Sequence, residues 1–299
     1  MKTNSAKHSW GGDWTEVKLN AFSKYVSAYL SIMNKNNYWK TIYFDGFAGS
    51  GRRDNEAKDE PMASSIYCKL FGDETSEKEN DVYRGSGERV LNLSQKFDHY
   101  YFIDMNNNSL SSLETTLSPY ISGLSIKFVH DNANNQICKL AKVMTEKPSK
   151  YASLIFLDPF AMEVDWSCIE KLRETRTDLW ILVPTGTIIN RLLGKNGELL
   201  APAKLCNFFG MSEEDIKSTF YTRETQSTLF GNSEIVSKIP DPIKKIADLY
   251  SQRLKTIWKY VTKDPLPLFN SKNVPIFHFI FASNNANAVK IASQIIGNV

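Results

Sequence analysis

Two segments of this 299-residue chain combine residue types that could do chemistry. The first is Asp45-Gly46-Phe47-Ala48-Gly49-Ser50-Gly51, directly after the apolar run Ile42-Tyr43-Phe44. Its glycines let the backbone turn tightly and come close to a ligand. A phosphate loop of the type G-x-x-x-x-G-K-[S/T] is excluded, because Arg52 and Arg53 replace its lysine and its magnesium-binding hydroxyl. A dinucleotide fingerprint, G-x-G-x-x-G, starts at Gly49 but meets Asp54 where its third glycine should stand. A loop for S-adenosylmethionine uses every residue present. The strand-end carboxylate receives the methionine ammonium through a charge-assisted hydrogen bond. No pyrophosphate has to be accommodated, so a third glycine is unnecessary. On this reading Asp45, Gly46, Phe47, Ala48, Gly49 and Gly51 border the cofactor. A plain strand-to-helix turn is the alternative that the loop leaves open.

The second segment is Leu157-Asp158-Pro159-Phe160, after the apolar run Leu154-Ile155-Phe156. Methylating an exocyclic amine requires its lone pair to point at a methyl sulfonium. Acceptors that hold the N–H protons achieve this, and an aromatic face holds the ring. Asp158 can orient the amine, Pro159 can supply a carbonyl and Phe160 can stack. Amino-methyltransferases acting on nucleic acid bases carry a related element with an acid or Asn at its head, two prolines and an aromatic. This chain has one proline fewer, so its aromatic stands a residue closer to the acid. A base would have to be flipped out or single-stranded to enter. The alternative reading makes Asp158 a strand-end cap and Pro159 a helix starter.

The elements that must position these residues follow an alternating pattern. Trp14–Met33 reads as an amphipathic helix and Lys40–Asp45 as a strand, and Pro61–Phe71 reads as a helix. Strands then end at Asp104, at His130-Asp131, at Asp158 and at Pro184, with helices over Ser109–Leu117, Asn135–Met144 and Trp166–Leu172. Such alternation indicates βαβ units around a parallel sheet. Asp104 is placed to accept ribose hydroxyls, and Asp131 with Asn132 to meet the adenine. Taken singly, such residues are also ordinary helix caps. Gly194–Asp241 breaks the rhythm and reads as an inserted, helical cap. Ile243–Tyr260 reads as a helix, Ile257–Phe269 and Val274–Ala282 as a closing hairpin, and Ala286–Ile296 as a last helix.

The expected fold is therefore α/β and Rossmann-like, with a mostly parallel seven-stranded sheet and a terminal antiparallel hairpin. It forms one domain over residues 1–299, with an N-terminal helical extension at 1–37 and the inserted region at 194–241. The composition, 42% hydrophobic and 12% aromatic, suits a globular chain with a sizeable core and excludes global disorder. No apolar run reaches the roughly 18 residues of a membrane span, and no secretory leader is visible, so the expected compartment is the cytoplasm. The net charge of +3 is too small to argue for nucleic acid by itself. The four cysteines (Cys68, Cys138, Cys168 and Cys206) lack C-x-x-C spacing, and His8, His99, His130 and His278 show no metal spacing. The expectation is reduced thiols and no metal.

Several short motifs resemble those of the three-Cys-motif partner proteins. These are Trp14-Thr15-Glu16-Val17-Lys18-Leu19, Tyr43-Phe44-Asp45-Gly46-Phe47-Ala48-Gly49-Ser50-Gly51-Arg52, and Leu157-Asp158-Pro159-Phe160. Asp178 to Pro184 with Asn190-Arg191, and Phe281-Ala282-Ser283-Asn284, follow in the same order over nearly the whole chain. The resemblance implies a bacterial protein with a class I S-adenosylmethionine-dependent methyltransferase fold. It also implies a possible partner, a radical-S-adenosylmethionine-like protein with a three-cysteine motif, and distant kinship to ribosomal RNA adenine-N6 methyltransferases. Trp14 and Lys18, on the helix before the first strand, are then placed to close over the cofactor. One departure is the 59-residue step from Asp45 to Asp104, against roughly 20 in ordinary nucleotide-binding folds.

Two classes of function follow: methyl transfer to an amine of RNA or DNA, and a non-catalytic binding platform for a protein partner. Methylation of a small molecule or protein is a third reading. Nucleic acid is favoured by the seven Lys/Arg residues of Ile243–Lys272, interleaved with Trp258 and Tyr260, and by Arg52 and Arg53 beside the loop.

Overall fold

The computed structural model describes residues 12–36, 38–51, 84–228 and 231–299. The helix expected over Pro61–Phe71, Arg52, Arg53 and Cys68 lie outside these residues.

The chain opens with α1 (Gly12–Met33) and β1 (Lys40–Asp45), then α2 (Ser86–Leu91) and β2 (His99–Asp104). Next come α3 (Asn107–Leu117), β3 (Ile126–His130), α4 (Ala133–Glu146), β4 (Tyr151–Leu157), α5 (Trp166–Glu170) and β5 (Thr177–Val183). β1, β4 and β5 are buried over all but one residue each, as suits strands covered on both faces, whereas the edge strand β3 has no fully buried residue. Strands β1 to β5 pair in parallel in the order 3-2-1-4-5. The order therefore reverses between β1 and β4, and an open α/β sheet binds ligands at such a switch point, outside the carboxyl ends of the strands.

The end of the chain completes the sheet. β10 (Pro275–Ser283) runs antiparallel beside β5, and both β8 (Tyr260–Val261) and β9 (Leu266–Phe269) run antiparallel on its other edge. β8 and β9 share one edge position, so eight strands fill seven places. This is the expected mostly parallel sheet with its closing hairpin. α9 (Ala286–Ile296) follows.

Side chains alternate across the sheet as the two-residue strand period requires. Tyr43, Phe156, Trp180 and Phe279 face α1 and α9, while Phe44, Leu157, Ile181 and Val183 face α4 and α5. Phe22 of α1 stacks on Phe156 at 4.2 Å between ring centroids, and Tyr25 packs on Phe281 at 4.6 Å. α1, set apart as an extension in the sequence, thus shares the covering of one face with α2, α3 and α9. Truncating an aromatic such as Phe22 would cost on the order of 3–5 kcal/mol.

A buried network locks the amino end of the sheet. Asp178 accepts hydrogen bonds from Tyr25 Oη at 2.6 Å and Ser283 Oγ at 2.5 Å. Asn284 Nδ2 donates to the Thr175 carbonyl, and Trp258 Nε1 to that of Thr177. Burial raises the Asp178 carboxyl to about 6. Two of the resembling motifs, around Asp178 and Ser283, therefore hold the fold together at the end opposite the strand-end loops.

Residues 194–241 are less helical than expected. They hold α6 (Pro202–Phe209) and α7 (Glu213–Phe220), then an antiparallel ribbon of β6 (Tyr221–Thr228) and β7 (Gly231–Lys238). Lys238 Nζ anchors the ribbon by donating to the Asn190 carbonyl, Asn190 Oδ1 and the Leu193 carbonyl at 2.6, 2.7 and 2.8 Å. α8 (Pro242–Leu254) returns the chain to the sheet. No described helix is long and apolar enough to cross a membrane.

Candidate active site at the strand ends

β1 and β4 are neighbours, with Asp45 beside Phe156 in the register, and Gly46 N donates to the Phe156 carbonyl at 3.0 Å. The glycine turn and the Asp158 elbow therefore emerge side by side at the switch point. A Cβ on Gly46 would stand 2.6 Å from Leu157 Cδ2, so a larger residue here would make the Leu157 side chain shift.

Asp45 is fully buried. Tyr43 Oη and Ser86 Oγ donate to its Oδ2 at 3.0 and 2.6 Å, and Phe47 N approaches Oδ1 at 3.4 Å. Burial pushes its carboxyl up to about 7, the Ser86 and Tyr43 bonds oppose this, and the charge of Asp158 adds to it. A buried carboxylate that costs stability at a strand end beside the switch point is a functional candidate on physical grounds.

Asp104 closes β2 beside the same turn. It accepts Gly49 N at 2.8 Å and Asn106 N at 2.7 Å. Gly49 has φ +60°, and no described atom lies within 4 Å of the place where its Cβ would stand. The long sequence step from Asp45 to Asp104 closes in space.

Asp131 stands one strand further out. Asn135 Nδ2, Gln136 Nε2 and Lys139 Nζ donate to it, as does Asn132 N, and these bonds hold it well below the usual carboxylate range. Asn132 caps α4 by accepting from Asn134 N at 2.8 Å. In this structure the pair anchors the start of α4.

The elbow meets α1. Lys18 Nζ donates to Asp158 Oδ2 at 2.5 Å; the lysine side chain is 3% exposed and the aspartate 26%. Lys18 also lies over the Trp14 ring at 5.2 Å. Pro159 is buried, while Phe160 is 64% exposed with its ring free to stack. Glu163, which the sequence reading passed over, accepts Phe160 N through Oε2 at 3.0 Å. Its carboxyl is raised by burial, with the charge of Asp104 adding to this and the backbone N–H groups of Ala161 and Phe160 opposing it. Asn134 ties α4 to the same loop: its Nδ2 donates to the Glu163 carbonyl and its Oδ1 accepts Asp165 N. Ser86, Glu163 and Asn134 carry no motif of their own.

Lys18 thus ties α1 to the elbow. A cavity of about 430 Å³ opens at the opposite end of the sheet, beside Trp39, Lys40 and Asp98. Among the described residues no group of three or more His, Cys, Asp or Glu could hold a metal ion. His278 is a sheet residue: it accepts from or donates to Thr185 Oγ1 at 2.8 Å, and burial lowers it to about 4.

The basic segment is corrected in part. Trp258 is buried with its indole N–H on the Thr177 carbonyl, so it cannot stack on a base. Arg253 is consumed by the Phe209 and Gly210 carbonyls and the Trp166 ring. β8 pairs with the end of β10 that lies beside Leu179, so Lys255, Lys259 and Lys263 sit at or near the far end of the sheet from the elbow. Lys244, Lys245 and Lys272 are exposed elsewhere.

Strand order, the antiparallel strand beside β5 and the loops at the switch point define a Rossmann-like fold of the class I methyltransferase type. No family model and no curated protein matches the chain. Among solved structures, it is similar to a Legionella pneumophila protein at 12% identity and TM-score 0.41, over 90% of this chain and 98% of that one. It is similar to an S-adenosylmethionine-dependent methyltransferase of Clostridium acetobutylicum at 12% identity and TM-score 0.36, over 88% and 92%. A plantazolicin methyltransferase in complex with SAH is similar at 11% identity and TM-score 0.26, over 91% and 87%.

Proposed function

We propose that this protein is an S-adenosylmethionine-dependent methyltransferase that methylates an exocyclic amine of a nucleic acid base. The observation that carries the reading is the meeting of the Asp45 glycine turn and the Asp158 elbow on adjacent parallel strands, with Asp104 bonded into the turn. Asp45, Gly46, Phe47, Ala48, Gly49, Gly51 and Asp104 would hold the cofactor, with Asp131 and Asn132 at its adenine end. Trp14 and Lys18 would close over it. When bound, S-adenosylmethionine supplies an electrophilic methyl group on sulfur.

The chain's own residues do the rest. Lys18 holds Asp158 Oδ2, which leaves Oδ1 to accept an N–H of the amine and turn its lone pair toward the methyl. The Pro159 carbonyl takes the second N–H, and Phe160 stacks on the ring. The proton lost from nitrogen passes to Asp158 or to water at Oδ1.

Titration calorimetry with S-adenosylmethionine tests this directly. Binding that is lost in Asp45→Ala supports it, as does transfer of labelled methyl from the cofactor to RNA or DNA. A folded protein that does not bind the cofactor overturns it. A second reading, a binding platform for a protein partner such as the three-cysteine-motif protein, is favoured by the Lys18–Asp158 pair, which engages the elbow's carboxylate. The exposed ribbon with Ile235 on its surface also favours it. Methylation of a small molecule or protein would instead show as label outside nucleic acid.

A further inference from the structure

Two cysteines that sequence spacing left unconnected meet behind the elbow. Cys138 of α4 and Cys168 of α5 are 30 residues apart in the chain, and their sulfurs are 3.1 Å apart. Lys171 Nζ donates to Cys138 Sγ at 3.3 Å. Cys168 is buried in the core between the sheet and α5, Cys138 is half-buried and Lys171 is exposed, so solvent reaches the pair from the Cys138 side.

The surroundings divide the labour. Burial, and then the adjacent Cys138, push the Cys168 thiol up to about 12, which keeps its proton on. The bond to Cys138 raises the Lys171 ammonium, so a positive charge stays beside Cys138. A positive charge beside a cysteine sulfur favours its attack on an electrophile. No third metal-ligating group joins the two thiols among the described residues.

We propose that Cys138 and Cys168 form a hydroperoxide-sensitive dithiol, with Cys138 as the thiol that attacks the peroxide and Cys168 as the resolving thiol. The Cys138 sulfur attacks one peroxide oxygen, the O–O bond breaks, and the departing oxygen takes a proton and leaves as water. Cys138 is then a sulfenic acid. The Cys168 sulfur attacks it, and the Cys168 proton leaves with the sulfenic hydroxyl as a second water. Two thiols lose two electrons and two protons, and one peroxide becomes two waters. Forming the bridge needs the sulfurs to close by about 1 Å. The bridge would fasten α4 to α5, whose preceding loops carry Asn132 and Asp158 and are already joined through Asn134. This inference stands on side-chain geometry and is independent of methyl transfer.

The test is peptide mapping of the full chain after hydrogen peroxide, with alkylation in denaturant. The expected result is a reductant-sensitive link between the fragments holding Cys138 and Cys168. In Cys168→Ser the Cys138 sulfenic acid persists and is captured by a dione probe, and Lys171→Met slows bridge formation several-fold. The wild-type map decides the matter even where a variant fails to fold. Both thiols remaining alkylatable after peroxide, or a link from either one to Cys68 or Cys206, would overturn the proposal.

Discussion

Lys18 reaches across 140 residues of chain to Asp158, and the two form an ion pair with a nitrogen–oxygen distance of 2.5 Å. The pair joins the helix that covers the sheet to the elbow that follows β4. Lys18→Met removes the ammonium and leaves Asp158 with only the water that its 26% exposure admits. A fully buried pair broken in this way would cost roughly 3–5 kcal/mol, and partial exposure brings this to about 1–3 kcal/mol. Thermal melts of Lys18→Met, Asp158→Asn and the double variant should show non-additivity of about 1 kcal/mol. Strict additivity would show that the pair holds nothing.

Asp45→Asn should stabilise the protein at high pH. The Asp45 carboxyl is raised from 3.8 to about 7, so the folded state binds a proton that the unfolded state has already lost between those values. Stability from this group therefore falls as pH rises from about 4 to about 7, and the cost is fully present above. At roughly 1.4 kcal/mol per pH unit, a gap of about 3 units sets an upper limit near 4 kcal/mol. The variant should melt above wild type at pH 8, with the advantage gone near pH 4, while cofactor affinity collapses. An equal difference at both pH values would mean that burial of the charge is not the cause.

Oxidation of the Cys138–Cys168 pair should raise the melting temperature. Cross-linking residues 30 positions apart removes chain entropy worth about 3–4 kcal/mol from the unfolded state. The thiols are already close in the folded state, so native strain subtracts little. Calorimetric scans of oxidised and reduced protein should differ by several degrees, and the difference should vanish in Cys168→Ser. A lower melting temperature on oxidation would show that the bridge distorts α4 or α5.

The strands of the sheet were legible because their centres are short apolar runs between turn signals. The closing hairpin was legible for the same reason. Four features were hidden, three of them because their cause is remote in the chain. α2 is a six-residue helix whose Ser86 matters only through Asp45, 41 positions away. The ribbon of β6 and β7 has no alternating apolar face, since its strands pair only with each other. Trp258 looked like a stacking residue among lysines, yet its indole is fixed to a carbonyl 81 positions earlier. The Cys138–Cys168 contact depends on how α4 lies against α5, which no spacing rule encodes.

Phe160 separates stability from function most cleanly. Its ring is 64% exposed and packs on no described aromatic, while its backbone N–H is held by Glu163. Removing the ring should therefore leave stability within about 0.5 kcal/mol of wild type, as for other exposed side chains. Stacking on a base is worth roughly 1–3 kcal/mol. Phe160→Ala should thus weaken substrate capture by about 5- to 150-fold, with cofactor binding unchanged, and Phe160→Trp should restore it. The measurement is labelled methyl transfer to RNA or DNA at varied substrate concentration, together with calorimetry for S-adenosylmethionine. If Phe160→Ala transfers methyl as fast as wild type, the exposed ring plays no part in holding the substrate.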